Sequence, residues 1–299
     1  MNGLPLNKVV VLTGATGYLG SRLAHDLNKS YEIIVLKRST SNLKYLQIIK
    51  NDLTFYDIDK IEMESIFTKH KVDIVIHTAT DYGRSGSSSS DIVKSNLMFP
   101  IHLLDLAIQN NVPTFINTDT VLEKYTNLYA LSKKQFLEHL KYQSHLIQII
   151  NLELEHFYGP DDSETKFITN MIKKMLLNVD SIPLTSGLQK RNFIYIDDVV
   201  EAYVLILKNL EKLDLQLSEF TIGYKNNVSI KTLLEQIKSL TKSKSKLHFG
   251  EIEMRVNELL ESKKNPGEIN LINWKCKTSL LDGLHKTIQF DKIKLGKNR

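Results

Sequence analysis

The sequence predicts an α/β protein: a doubly wound parallel sheet followed by a smaller C-terminal α/β region. Three observations carry this. Short β-branched runs alternate with longer amphipathic stretches through the first half. The short runs are apolar almost throughout, as strands buried on both faces of a parallel sheet are. The first of them leads straight into a glycine-rich turn and then a helix-like segment.

The strand-like runs are Lys8–Thr13, Tyr31–Lys37, Leu53–Asp57, Val72–Thr78, Thr114–Thr118 and Leu146–Leu152. The helix-like stretches between them are Tyr18–Asn28, Leu43–Lys50, Ile61–His70, Asp91–Asn110 and Asn127–Gln143. A β-α-β-α order with short links winds helices onto both faces of one sheet. Pro100 falls inside the fourth helix and should kink or divide it. The SGSSSS run at Ser85–Ser90 reads as a loop at the carboxyl end of a strand, where ligand crevices of open sheets form. Beyond Gly159 the rhythm loosens. Lys166–Asn178, Asp197–Leu210, Ser229–Leu240 and Thr278–Ile288 read as helices, and Arg191–Ile196 and Glu219–Gly223 as strands. The expected division sets residues 1–160, with 190–228 returning to them, against 161–189 with 229–299.

Composition narrows the class. The chain has 299 residues, 42% hydrophobic and 24% charged, enough to bury a core in one large domain or two ordinary ones. Cys276 stands alone, which leaves no disulfide framework and no Cys-based zinc site, and no metal is expected. No apolar run nears the roughly 20 residues of a membrane span, and the opening residues lack a signal-peptide layout, so a soluble cytoplasmic protein without a membrane partner is expected. The net charge of +5 comes from 39 Lys+Arg against 34 Asp+Glu, part of it in the tail at Lys292, Lys294, Lys297 and Arg299. No nucleic-acid-binding pattern accompanies it, and a small anionic ligand suits the balance.

The turn Gly14-Ala15-Thr16-Gly17-Tyr18-Leu19-Gly20 has the spacing of a Rossmann-type dinucleotide loop. Its first glycine makes the tight turn, the second lets backbone approach a pyrophosphate, and the third lets helix and strand pack closely. Gly14, Thr16, Gly17, Tyr18 and Leu19 are the expected cofactor contacts here, at a helix N-terminus whose partial positive charge favours phosphate. The second strand ends Lys37-Arg38-Ser39, two cations and a hydroxyl where enzymes that use NAD place an acid. That pair suits a 2′-phosphate and predicts NADPH/NADP as cofactor, two solvated cations being the plain alternative.

Tyr129-Ala130-Leu131-Ser132-Lys133 sets a phenol and an ammonium at i and i+4 on one helix face. A neighbouring Lys⁺ is expected to lower the phenol's pKa toward acid–base use. Upstream, Thr118 leaves a sheet strand at its carboxyl end, where a hydroxyl can donate to a carbonyl oxygen or a developing alkoxide.

Together these residues resemble the extended short-chain dehydrogenase/reductases of the nucleotide-sugar epimerase/dehydratase family. The likeness rests on TGATGYLG (Thr13–Gly20), DIVIHTAT (Asp73–Thr80), Asn96, INTDT (Ile116–Thr120), YALSK (Tyr129–Lys133), FYGP (Phe157–Pro160) and RNFIYIDDV (Arg191–Val199), in the family's order over most of the chain. It implies a cofactor-binding first domain and a substrate-binding C-terminal region. Tyr129 would be the acid/base, Lys133 would hold the nicotinamide ribose, and Thr118 would bond the reacting oxygen. It further implies that Asp57 and Ile58 lie near the adenine and that Thr78, Ala79 and Thr80 line the cofactor. Tyr82, Thr118, Asp119, Thr120, His156, Arg191 and Arg255 would meet the nucleotide-sugar substrate.

Three departures from the family pattern shape the expected activity. His156 replaces a substrate-contacting asparagine, and the stretch from Thr118 to Tyr129 is short, which should leave an open site. Thr120 replaces the glutamate that the family's dehydratases use as a base, and a threonine hydroxyl cannot take that role. With dehydration disfavoured, reduction and epimerisation remain within the family. The Lys37–Arg38 pair, which points to NADPH, favours NADPH-dependent reduction of the 4-keto group of a CDP- or dTDP-linked 4-keto-6-deoxyhexose for surface polysaccharide, in the manner of NDP-4-keto-6-deoxyhexose 4-reductases. A 4-epimerase with tightly bound NAD and a non-catalytic NADP-binding protein are the alternatives. Leu97, Phe99, Leu103 and Leu106, with Leu131, Phe136 and Leu140, cover wider arcs of two helices than one core face needs. The family resemblance implies that these helices pair across a homodimer, and burial under the C-terminal region is the competing explanation.

Overall fold

The computed structural model describes residues 8–84, 86–214, 216–254, 259–261 and 268–297. The chain forms two compact units, the first comprising the chain up to Leu154 together with Ala202–Phe220, the second Glu155–Glu201 with the chain from Thr221 onward.

In chain order the elements are β1 (Val9–Thr13), α1 (Tyr18–Leu27), β2 (Glu32–Lys37), β3 (Thr54–Asp57), α2 (Glu64–Lys69), β4 (Ile74–His77), α3 (Ser89–Val93), α4 (Phe99–Gln109), β5 (Thr114–Thr120), α5 (Leu128–Gln143), β6 (Gln148–Leu154), β7 (His156–Tyr158), α6 (Phe167–Leu176), β8 (Ser181–Leu184), β9 (Lys190–Arg191), β10 (Phe193–Tyr195), α7 (Ile196–Lys208), β11 (Leu217–Ile222), β12 (Val228–Ser229), α8 (Ile230–Thr241), β13 (Lys246–Phe249), β14 (Glu268–Ile269), β15 (Trp274–Lys275) and α9 (Leu280–Lys297). The main sheet runs β11-β6-β5-β4-β1-β2-β3. From β3 to β6 every pairing is parallel, and strand order reverses between β1 and β4, the place where such sheets open a crevice. This is the Rossmann-type α/β fold expected from the sequence.

The strands are apolar throughout because both faces are covered. Val11, Ile34, Val75, Phe115 and Ile149 on one face pack against Ile66, Leu103, Leu106, Phe136 and Leu140 from α2, α4 and α5. Of the seven apolar residues on those wide arcs, Leu103, Leu106, Phe136 and Leu140 belong to this core. That leaves Leu97, Phe99 and Leu131 half-buried.

Two expected helices differ. Leu43–Lys50 is a run of turns closed by i→i+3 bonds (Leu46 N to Leu43 O, Ile49 N to Leu46 O) before a short 3₁₀ turn at Lys50–Asp52. Only Leu46 is anchored in the core there, while Ile48 is 90% exposed, so no apolar face repays the cost of helix nucleation. Asp91–Asn110 begins earlier, at the Ser88–Asp91 capping box, and carries a π-helical turn at Lys94–Met98. That turn immediately precedes Pro100, whose ring lacks an N–H and crowds the preceding turn, so the wider i→i+5 winding takes up the mismatch.

In the second unit, β7 pairs with β10 and β8 with β13, both parallel, while β12 pairs antiparallel with β9. Ile172, Met175, Leu233, Leu234, Leu284 and Ile288 are buried on α6, α8 and α9. Gly283 lets α9 lie against Tyr158, whose hydroxyl a Cβ would meet at 2.3 Å. Asp198 accepts from the Lys277 and Thr278 amides (both 3.1 Å) and from Cys276, and its carbonyl accepts from Trp274 Nε1 (3.0 Å), which ties α7 to the segment before α9. Among the described residues no helix is long and apolar enough to cross a membrane, and no cluster of three or more His, Cys, Asp or Glu could hold a metal ion.

Candidate active site

The crevice is built from the end of β1. Gly14 adopts φ +74°, and a Cβ there would fall 2.5 Å from Thr78 Oγ1 and 2.6 Å from Ala79 N, so only glycine allows the turn to pass the end of β4. Gly17 N donates to Gly14 O (2.9 Å). A Cβ on Gly20 would lie 2.3 Å from Gly14 O, whereas one on Gly17 would meet only that oxygen, at 3.2 Å. The middle glycine thus has an open outer side. Gly17 caps α1 without a side-chain hydrogen bond, and no acid lies in the first turn, so the leading amides stay available to an anion. Thr16 is half-buried, and Tyr18 and Leu19 point inward. The loop fits a dinucleotide pyrophosphate.

Thr78 donates to Thr13 O (2.8 Å), and the Ala79 amide donates to Thr13 Oγ1 (3.3 Å), which is 2.8 Å from Nδ1 of buried His77. The next residues join this loop to α5. Asn96, buried in the π turn, accepts from Thr80 Oγ1 (3.2 Å) and the Asp81 amide (2.7 Å) and donates to Ser132 Oγ (3.1 Å). Ser132 precedes Lys133.

Tyr129 is half-buried on the first turn of α5, capped by Asn127 (Ala130 N to Asn127 Oδ1, 2.8 Å). The Tyr82 ring lies 4.9 Å from it, and the Arg84 guanidinium sits over Tyr82 at 5.2 Å. The expected lowering of the Tyr129 pKa is reversed. Desolvation pushes the phenol well above its ordinary value, with Tyr82 and Asp119 adding to the rise and a hydrogen bond with the Thr120 hydroxyl opposing it. Lys133 is 2% exposed, and its ammonium has no hydrogen bond or ion pair among the described residues. Burial lowers its pKa to about 8.

Thr118, Asp119 and Thr120 end β5. Thr118 Oγ1 lies 2.6 Å from the hydroxyl of Tyr203, a fully buried residue of α7 that nothing in the sequence singled out, since the contact spans 85 residues. Asp119, expected among the substrate contacts, turns inward. Its Oδ1 accepts from the Thr120 amide (2.7 Å) and its Oδ2 from Lys134 (2.9 Å) and Asn151 (3.3 Å). Lys134 also donates to Glu153 (2.8 Å) and the Thr120 carbonyl (2.7 Å).

At the end of β2, Lys37 pairs with Asp57 of β3, and Ile58 N donates to Lys37 O (2.9 Å). Ser39 is held by Asp59 through its amide and hydroxyl, both 2.6 Å. Arg38 is exposed, and its guanidinium has no ion-pair partner among the described residues. In the second unit, His156 is exposed, 3.5 Å from Glu155 and edge-on to Phe193, and Arg191 donates to the Lys190 carbonyl (2.8 Å). Arg255 lies outside the described residues.

Residues 10–223 match the model of the NAD dependent epimerase/dehydratase family. The chain belongs to that family. Among its members, the CDP-abequose synthase of Salmonella muenchen is 36% identical over 295 residues, which cover 95% of this chain and 98% of that protein. The CDP-abequose synthase of Salmonella typhimurium is 32% identical over 303 residues, with 95% and 98% covered. The UDP-glucose 4-epimerase of Thermotoga maritima, solved with UDP-glucose, superposes with a TM-score of 0.82 at 21% identity, covering 96% of this chain and 99% of its own. The UDP-glucuronic acid 4-epimerase of Bacillus cereus, solved with UDP-glucuronic acid and NAD, gives 0.81 at 22% over the same shares. At these identities the structural likeness is one of fold.

Proposed function

We propose that the chain is an NADPH-dependent reductase of the 4-keto group of a nucleotide-linked 4-keto-6-deoxyhexose, CDP-linked in the first instance, serving surface-polysaccharide assembly. The observation that carries this is the make-up of the site. Tyr129, like any phenol, holds its proton at neutral pH and so has one to give. Its neighbours at the end of β5 are hydroxyls, and the one carboxylate there, Asp119, has no exposed side-chain surface and is tied to Lys134. Proton donation is therefore supported, and carboxylate-assisted loss of a hydroxyl is not. The likeness to two CDP-abequose synthases over nearly their whole length points the same way.

The glycine loop and the amides of α1 would hold the pyrophosphate, Lys133 the nicotinamide ribose and Arg38 the 2′-phosphate, with Asp57, Ile58 and the Thr78–Thr80 loop along the dinucleotide. Bound NADPH supplies hydride to the keto carbon. Thr118 would orient the carbonyl oxygen, and Tyr129 would give its proton to that oxygen as it becomes an alcohol. Tyr82 and Thr120 would flank the sugar, and Arg191, Arg255 and His156 would meet the nucleotide diphosphate and base. A homodimer through α4 and α5 belongs to the same reading.

The second reading is a 4-epimerase that keeps NAD bound, and one observation favours it. Asp57 neutralises Lys37, which leaves Arg38 as the one unpaired cation of the pair expected to face a 2′-phosphate. NADPH consumption with CDP-, dTDP-, GDP- and UDP-linked 4-keto-6-deoxyhexoses separates the two. The reductase reading expects turnover that depends on added NADPH and is lost in Tyr129→Phe with cofactor binding kept. Stoichiometric NAD in the purified protein, with activity needing no added NADPH, would overturn it.

A further inference from the structure

The pair Thr118–Tyr203 has only one satisfactory arrangement of its protons. Tyr203 is 0% exposed, and its hydroxyl has no hydrogen-bond partner among the described residues other than Thr118 Oγ1, at 2.6 Å. A phenol carries one donor proton, and leaving it without an acceptor in the interior carries the full desolvation penalty of that group. If Thr118 were the donor, the Tyr203 proton would be left in that condition. With Tyr203 as donor, the buried phenol is satisfied and the Thr118 proton is released from the protein's own network. Burial also raises the Tyr203 pKa, so the phenol keeps its proton over the working range. Thr118 is half-buried at the carboxyl end of β5, and its hydroxyl has no second partner among the described residues. A hydroxyl that accepts a hydrogen bond becomes a better donor through it.

We propose that Tyr203 is a positioning residue: it donates to Thr118 and so turns the Thr118 proton toward the carbonyl oxygen of the substrate. The identity of that oxygen rests on the reductase reading; the direction of the hydrogen bond does not.

Two measurements on the full chain test it. The first is the tyrosine Fermi doublet in the Raman difference spectrum of wild type minus Tyr203→Phe, which reports whether a phenol donates or accepts. A donor pattern is expected, and an acceptor pattern overturns the proposal. If Tyr203→Phe folds poorly, wild type minus Thr118→Val, which keeps the tyrosine, reads the same doublet, and there too the wild-type component should show the donor pattern and an acceptor pattern overturns the proposal. The second is kinetic, with NADPH and a CDP-4-keto-6-deoxyhexose. Tyr203→Phe should lower kcat by roughly 5–20-fold with KM and NADPH affinity within about twofold, and should cost nothing further in a Thr118→Ala background. An unchanged kcat, or the same fold-loss in that background, overturns the proposal. Wild-type protein that reduces none of the 4-keto sugars would sink the reductase reading alone, because the Raman doublet still decides which hydroxyl donates.

Discussion

Lys134 and Asp119 form an ion pair behind the end of the strand that carries Thr118, with Nζ 2.9 Å from Oδ2 and the carboxylate fully buried. The same ammonium serves Glu153 at 2.8 Å and the Thr120 carbonyl at 2.7 Å. One cation thus pairs with two inward carboxylates and pins the backbone on which the site's hydroxyls stand. The carboxylates raise the pKa of Lys134 above that of a free lysine, although burial opposes them.

Removing the cation should therefore be costly. Lys134→Met strands two carboxylates in the interior and should cost about 3–5 kcal/mol, read as a lower urea midpoint at unchanged slope. Adding Asp119→Asn should recover part of that loss. Because the folded pKa of Lys134 is raised, its contribution is complete below the unfolded value and is lost only as pH climbs past the folded one. Lys134 itself therefore adds no slope below about pH 9, and the gap between wild type and Lys134→Met should widen as pH rises from about 5 toward 8, where the carboxylates left without their ammonium are forced to ionise.

Lys133 should behave in the opposite sense. Burial holds its folded pKa at about 8, well below that of a free lysine, so below pH 8 the ion is buried at a cost. Between about pH 8 and 10 the unfolded chain binds more protons than the folded one, and stability rises with pH. Lys133→Met, without cofactor, should be more stable than wild type at pH 7 by up to about 3 kcal/mol, with the gap closing toward pH 10. Thermal denaturation across that range measures it. A gap that widens with pH contradicts this environment.

The glycine loop separates folding from binding. Gly20→Ala forces a methyl to 2.3 Å from Gly14 O and should destabilise the fold, lowering Tm by several degrees. Gly17→Ala meets only a 3.2 Å contact and should fold, yet lose at least tenfold in NADPH affinity by fluorescence titration, because its methyl occupies the side a pyrophosphate would approach. Equal NADPH affinity in Gly17→Ala and wild type would remove the loop from the cofactor site.

Arg38 should decide between cofactors. Arg38→Ala should weaken NADPH binding roughly tenfold or more and leave NADH binding within about twofold. Equal losses for both would mean that the guanidinium does not read the 2′-position.

Much of this was legible before any coordinates. The apolar strands, the glycine loop at the end of β1 and the Tyr129–Lys133 spacing are local patterns, and the sheet and the opening of the crevice follow from them. Where local pattern met a tertiary condition, the reading failed. Leu43–Lys50 has helix-like periodicity but only Leu46 in the core, so no helix forms there. Tyr129 was expected to be drawn toward ionisation by its neighbour, yet desolvation, which no spacing reports, moves it the other way.

By itself, then, the sequence determined the order of most elements and the family, because these depend on patterns within a few turns of chain. Only the tertiary structure decided what those residues are bonded to. Tyr203 reaches Thr118, Asp57 reaches Lys37, and Lys134 reaches Asp119 and Glu153 across 85, 20, 15 and 19 residues. Hydrogen-bond direction and proton affinity are set by what lies within a few ångströms and by how little water is left there, and packing brings those neighbours together.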